Sequence, residues 1–212
     1  PQVEKLLLIT FGLHGYIESI QGIHKNIVNK KINKLKFKKS KKVKLKIKKA
    51  YHPCISNKIV TNDVDMSNNK IITGPNAAGE TTLLKTTVIN VLLSQQIGYG
   101  FCSGGILTPF DYIHCYLNIP DTNGRDSLFQ AEARRCSNIL NFIETHKKAK
   151  HFCIFDELFS GTNPYEAVAT AYGYLNHIRS NSNIRFMLTT HYIRLCKLFN
   201  DTKNIENNNM ET

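Results

Sequence analysis

The chain has no Cys-x-x-Cys pair, no charged-then-apolar leader behind its first residue, and no apolar run approaching the length of a membrane span. Each absence excludes something. The six cysteines (Cys54, Cys102, Cys115, Cys136, Cys153, Cys196) are scattered singly, several in apolar stretches such as 151–155. That argues against a disulfide framework or zinc site and for reduced, buried thiols in an intracellular protein. The nearest approach to a spanning segment, Leu6 to Leu13, is far too short, so no membrane partner is expected. An initiating Met is missing too. Pro1 stands first, and the chain is expected to be a piece of a longer polypeptide. Internal repeats are absent. Acids are also scarce, 16 against 28 Lys and Arg, for a formal net charge of +12. The imbalance is local: 12 lysines between Lys30 and Lys49 account for the whole excess.

What is present suits one domain with an appendage. The 212 residues, 42% hydrophobic, are enough to bury a core. Residues 1–30 carry apolar positions at helical spacing interrupted by Gly12, Gly15 and Gly22, which predicts one or two short helices, a remnant of an upstream domain. In the lysine tract, Leu35, Phe37, Val43, Leu45 and Ile47 alternate with lysines at period two. That predicts two strands turning near Ser40, with one apolar and one lysine face. The lysine face can be read as a phosphate-backbone patch or as an ordinary solvated strand face. The lack of Arg or aromatics among the lysines favours the second.

From Tyr51-His52-Pro53 onward the pattern becomes regular. Strands are expected at 70–73, 112–119, 151–155 and 184–190, with helices at 79–96, 127–148 and 164–179, the last opened by Pro164. Such alternation predicts an α/β domain over 31–200 with a mostly parallel sheet flanked by helices. The Asn-rich tail, 201–212, is expected to be disordered.

Three motifs carry chemistry. Gly74-Pro75-Asn76-Ala77-Ala78-Gly79-Glu80-Thr81 has the frame of a phosphate-binding loop, in which glycines let backbone N–H groups turn toward phosphate oxygens. The following helix aims its N-terminal dipole at the same anion, and Thr81 can offer its hydroxyl to Mg²⁺. Glu80 stands where this loop carries Lys. A unit charge pair at about 3 Å and an effective dielectric near 20 is worth roughly 5 kcal/mol before desolvation, and Glu reverses its sign. Lys85, five residues onward, projects from another face of the helix. Next, Phe152-Cys-Ile-Phe-Asp156-Glu157 is an apolar strand ending in two acids, Asp156 for the metal and Glu157 for the attacking water. Then Met187-Leu-Thr-Thr-His191 ends a neighbouring strand in a histidine placed to sense a γ-phosphate. Together these predict a phosphate-loop NTPase of the ABC type that uses ATP and Mg²⁺.

At this point the chain resembles the ATPase domain of the MutS family of DNA mismatch-repair proteins, over about 45–199. Thr73-Gly-Pro-Asn-Ala-Ala-Gly79 is similar to that family's T-G-P-N-x-x-G-K-[ST] loop, a more specific string than a generic phosphate loop. Tyr51-His52-Pro53 resembles the His-Pro element before the loop, and Asn62-Asp63 the Asn-containing segment near the base. Gly124-Arg-Asp-Ser127-Leu-Phe129 with Glu132 is similar to G-R-S-T-F-x-x-E, Asp156 to Pro164 to the acid pair and interface loop, and Thr190-His191-Tyr192 to T-H-Y. Three departures stand out: Glu80, the acid inserted before Ser127, and Phe159-Ser-Gly-Thr-Asn-Pro in place of G-R-G-T-S, which implies a divergent branch.

The resemblance implies that Gly74 to Gly79, Glu80, Thr81 and Thr82 bind phosphate, with His52 and Asn62 beside the base. It implies Thr81 and Asp156 on Mg²⁺, Glu157 and His191 in catalysis, and Ser127, Gly161, Thr162 and Asn163 acting across a homodimer or MutS-like heterodimer. Nucleotide state would then be coupled to a DNA clamp in domains outside this chain. Transporter and chromosome-maintenance ATPases need an L-S-G-G-Q-like signature, and 127–135 offers none. Two rivals stay open: a hydrolysis-deficient interaction module that keeps the fold and dimer surface, and a simple basic DNA-binding module centred on the lysines.

Overall fold

The structure is a computed structural model, and it describes residues 2–40, 42–75, 78–117 and 127–210. Asn76, Ala77 and the Gly124-Arg125-Asp126 stretch of the sequence argument lie outside those residues.

Helix α1 (Gln2–Val28) comes first, then β1 (Asn33–Phe37), β2 (Leu45–Ala50), β3 (Asn62–Asp65) and β4 (Asn69–Thr73). Helix α2 (Glu80–Ile97) leads to β5 (Tyr99–Gly100), β6 (Gly104–Leu107) and β7 (Tyr112–Tyr116). The remainder is α3 (Leu128–Thr145), β8 (His151–Asp156), α4 (Pro164–Ile178), β9 (Ile184–Thr189), α5 (Ile193–Leu198) and β10 (Ile205–Asn209). The strands form two five-stranded sheets, one mixed in the order β3-β2-β6-β1-β5 and one in the order β10-β4-β9-β8-β7. Every pairing in the second is parallel. The chain is thus α/β, with a parallel sheet flanked by helices.

Strand β8 shows why its sequence is continuously apolar. Cys153 and Phe155 belong to one core with β9, α3, α4 and α5, while Phe152 and Ile154 belong to another. A parallel strand covered on both faces has no solvent side to alternate with. The second core gathers Leu84, Val88 and Val91 of α2 between the parallel sheet and the apolar face of the mixed sheet, Leu35, Leu45, Ile47 and Leu107. Helix α2 is therefore clamped between two sheets, and the loop at its start is held at the edge of both.

Several expectations are corrected. Helix α1 is continuous across its three glycines, each with no neighbouring atom within 4 Å of an added Cβ, and it buries no residue. It is also the one helix among the described residues long and apolar enough to cross a membrane, at a mean hydropathy of 1.2. Counting the uninterrupted run 6–13 underestimated it, because a helix averages its glycines and few polar residues over its length. By length and composition alone, one such helix near a chain end is weak grounds for a membrane. The lysine strands do alternate as expected, but they form no hairpin. Strand β6 lies between them, parallel to β1 and antiparallel to β2. Its Gly104-Gly105 start hid it, although Gly105 is where the chain approaches the Lys46 backbone too closely for any Cβ.

The tail is not disordered over 205–209. Strand β10 pairs with β4 from Ile205↔Asn69 to Asn209↔Thr73. Only Ile205 is buried, and polar side chains do the rest: Glu206 binds Asn68 and Lys70, and Asn207 donates to the Cys196 carbonyl at 2.9 Å. All six cysteines are free; four are buried, but Cys54 is exposed, against expectation.

Candidate functional site

Ligands of open α/β sheets sit beyond the carboxyl ends of the strands. Here Thr73 ends β4, Asp156 ends β8 and Thr189 ends β9, with Asp156 and Ile72 both in register with Thr189. Three strand ends thus reach one level, and α2 starts beside them, after Ala78 and Gly79. Gly79 takes φ 94°, a left-handed value that favours glycine, and gives α2 no side-chain cap. The first-turn N–H groups therefore stay available to an anion. A Cβ on Gly74 would stand 2.6 Å from Glu80 Oε1 and 3.2 Å from both Ala78 Cβ and Met210 Cβ.

At the end of β8 the groups are mutually satisfied. Thr81 Oγ1 lies 3.1 Å from each Asp156 oxygen, and Thr189 Oγ1 donates to Asp156 Oδ1 at 2.6 Å. Two hydroxyls from different elements therefore aim the carboxylate. Beside it, Glu157 takes φ 51° while its N–H donates to Thr189 O at 3.1 Å. A left-handed non-glycine residue costs roughly 1–2 kcal/mol. That turn sends the Glu157 side chain out of the strand to His191 Nε2, 3.2 Å away, with both groups half-exposed. Ala78, Gly79, Glu80, Thr81, Thr82, Glu157 and His191 line one open cavity of about 410 Å³. No cluster of three or more His, Cys, Asp or Glu that could hold a metal exists among the described residues. That does not oppose Mg²⁺, which takes one or two carboxylates and fills its octahedron with water and phosphate oxygens.

On the phosphate side, Glu80 is 8% exposed, and its Oε1 finds no hydrogen-bond partner among the described residues. Burial pushes its carboxyl above the ordinary carboxylate range; the Glu157 and Asp156 charges add to that, and His191 opposes it. The start of α2 therefore holds a buried acid without a hydrogen-bond partner for Oε1 among the described residues.

A second cavity, of about 150 Å³, opens on the other side of Gly79 and Thr82, where His52, Ile55, Val60, Asn62 and Thr86 form its walls. His52 and Asn62, expected beside a base, do meet there. His52 Nδ1 also accepts from Cys54 N at 3.2 Å. Met210 is a wall residue that sequence reasoning missed. Its N–H donates to Thr73 O at 2.8 Å, extending the β10 pairing to the edge of the loop. Nothing in a tail read as disordered could have signalled it.

The residues expected across a dimer are brought to one surface. Ser127 caps α3 in a reciprocal capping box with Gln130, and Leu128 beside it sits against Gly161, where an added Cβ would approach it to 2.7 Å. Asn163 caps α4 by accepting from Tyr165 N and Glu166 N, each at 3.1 Å, and Thr162 donates to Glu166 at 2.6 Å. Ser127 and Asn163 thus have local structural duties. The buried Glu132 has the largest one: it accepts from Ser160 N, Ser160 Oγ and Gly161 N at 3.1–3.2 Å. It thereby ties α3 to the loop that follows the acid pair.

Fold and site together define a parallel α/β domain with a phosphate-loop cavity at its strand ends. Residues 70–212 match MutS domain V. The chain is 32% identical over 154 residues to the Endonuclease MutS2 of Staphylococcus carnosus (strain TM300), covering 69% of this chain and 19% of that protein. It is 34% identical over 154 residues to Endonuclease MutS2 of Staphylococcus aureus, covering 69% and 21%. The chain belongs to the MutS family. It spans about a fifth of the length of the curated relatives it matches.

Proposed function

We propose that the chain is the ATP-binding ATPase domain of a MutS-family DNA mismatch-repair protein, an ABC-type phosphate-loop domain with Glu80 in place of the loop lysine. The observation that carries this reading is the meeting of Thr81, Glu157 and His191 around one cavity at the ends of β4, β8 and β9, with Asp156 hydrogen-bonded to Thr81 at its edge. In it, Gly74, Ala78, Gly79 and Thr82, with Asn76 and Ala77, would hold phosphate oxygens through backbone N–H groups, the Thr82 hydroxyl and the α2 N-terminus, while Pro75, which has no N–H, would shape the loop beside the phosphates. Thr81 and Asp156 hold Mg²⁺, Glu157 orients or deprotonates water, His191 senses the γ-phosphate, and His52 and Asn62 flank the base. Mg²⁺ supplies charge neutralisation on the phosphates. Ser127 and the Gly161–Asn163 segment act on the nucleotide of a partner subunit, in a homodimer or MutS-like heterodimer inside the cell. Nucleotide state is passed to a DNA clamp built by parts of the protein outside this chain.

The donor set fits ATP and Mg²⁺ at the metal corner and in the base cavity. It does not fit at Glu80 while that carboxylate is ionised. That mismatch favours a second reading, a hydrolysis-deficient module that retains the fold and dimer surface for interaction.

Calorimetric titration of Mg-ATP into the chain and into Glu80→Lys separates them. Replacing one buried negative charge by a positive one should tighten binding by at least about 10²-fold, a fraction of the roughly 5 kcal/mol Coulomb limit. If neither protein binds while both melt cooperatively, the ATP-binding reading fails and the interaction module takes its place.

A further inference from the structure

The lysine tract is not used by the nucleotide site, and the fold organises it more closely than the sequence indicated. Strand β6 separates β1 from β2, with Ile106 in register with Lys36 on one side and Lys46 on the other. Gly104 is likewise opposite Lys48, one step from Leu35↔Gly105 and hence beside Lys34. At the other end, Lys38 N donates to Leu107 O at 2.9 Å and Thr108 N to Lys44 O at 2.7 Å, which carries the same rows onward. The result is two columns, Lys34-Lys36-Lys38 and Lys48-Lys46-Lys44, on the outer face of the mixed sheet. All six are exposed, while Leu35, Leu45 and Ile47 point into the core.

Strand geometry sets the spacing at about 6.8 Å along each column and roughly 9.6 Å between columns. These distances are within or near one Debye length at physiological salt, so the amines repel one another. Among the described residues only Lys46 of the six has an acidic partner, Asp65 at 2.6 Å. None of the six lines either cavity described above. Among the described residues, Ile106, 38% exposed, and the half-buried Tyr99 are the large side chains in register with the lysines, which leaves little to insert into a lipid surface. One aromatic ring reaches this face, the half-buried Tyr99 in register with Lys34 at the edge of the array, a single ring and not a row of stacking platforms; the exposed Phe37 lies on the opposite side of the alternation.

From this we infer that the outer face of the mixed sheet is a sequence-blind docking surface for the phosphate backbone of double-stranded nucleic acid, carried by this chain itself. A rigid two-column array of amines matches a polymer of regularly spaced phosphates, and backbone contacts position a duplex without reading it. The surface is separate from the nucleotide site and does not depend on what Glu80 does there.

The test is fluorescence anisotropy of a short random-sequence DNA duplex titrated with the full 212-residue chain across salt concentrations. With about five phosphate contacts, affinity should fall about 10³-fold between roughly 50 and 200 mM salt. The combined Lys34→Gln, Lys36→Gln and Lys48→Gln variant should flatten the log–log salt slope by about three, and Lys→Arg at the same positions should preserve it. A single mismatch in the duplex should change nothing. No duplex binding at low salt, a salt slope near zero, binding that the Gln variant leaves intact, or displacement of the duplex by anionic phospholipid vesicles would each overturn the proposal. The wild-type slope is diagnostic even if a variant fails to fold.

Discussion

Thr81 and Glu80 are neighbours in the first turn of α2, yet the two sides of the site they serve differ in kind. On the Thr81 side, Asp156 is held by two hydroxyls, one from α2 and one from β9. On the Glu80 side, a carboxylate oxygen is buried with no partner among the described residues and with two further acids nearby. The first arrangement is stable before any ligand arrives. The second is stable only to the extent that the acid takes up a proton or a cation arrives. Two adjacent residues of one helix turn therefore differ in kind: Thr81 meets a carboxylate already held in place, while Glu80 carries a carboxylate oxygen without a partner among the described residues.

The contrast is broken most strongly from the metal side. Asp156→Ala leaves Thr81 and Thr189 without their acceptor. Hydrogen bonds to a charged group contribute about 1.5–3 kcal/mol each, so urea unfolding should show a loss of about 3 kcal/mol. In a Glu80→Lys background it should also abolish the Mg²⁺ dependence of ATP binding. Stability within about 0.5 kcal/mol of the parent would mean that the carboxylate is not held as described.

Glu80→Gln tests the other side and should have the opposite sign. A buried unsatisfied polar group costs about 1–3 kcal/mol, and the charge is the worst part of it. Because the folded-state pKa of Glu80 is raised above its unfolded value, the folded state binds the proton more tightly. Whatever stability that proton confers is fully present below the unfolded pKa and is lost as pH rises through the folded one. Glu80→Gln should therefore be more stable than the parent by about 1 kcal/mol at neutral pH, with the gap closing as pH falls toward 4. A gap that is constant with pH would show the effect to be packing, not ionisation.

The same contrast marks how far the sequence could be read. The Thr81–Asp156 corner was legible because its signals are local: β8 announces itself as an apolar run ending in Asp156-Glu157, and α2 follows a glycine turn. That an acid stands at position 80 of the glycine turn was equally visible. Its burial was not, because the walls around it come from elements far away in the chain. Met210 is the clearest case, delivered by a strand whose Asn-rich sequence carries one buried residue and whose stability lies in edge pairing with β4. Strand β6 escaped for a related reason: Gly104-Gly105 has no side chain to show a period, although it lies between the two lysine strands. Periodicity reports what a segment buries, so segments held mainly by backbone or polar contacts go unseen.

The smallest effect is the sharpest test of where the Glu80 carboxylate lies. Gly74 does not have a positive φ, so alanine there meets no backbone penalty of the left-handed kind. Its methyl group would instead meet Glu80 Oε1 at 2.6 Å, with Ala78 and Met210 at 3.2 Å close behind. The carboxylate is the end of a flexible chain and can swing away, so Gly74→Ala should cost only about 1 kcal/mol in urea unfolding. If the carboxylate is the obstacle, most of that cost should vanish when Glu80→Ala is made first, a coupling of at least about 0.5 kcal/mol in the double-mutant cycle. Additive effects would place the obstacle at Ala78 and Met210 instead. The loop would then be tight because β10 closes over it, and the acid would be a passenger in a space that β10 had already narrowed.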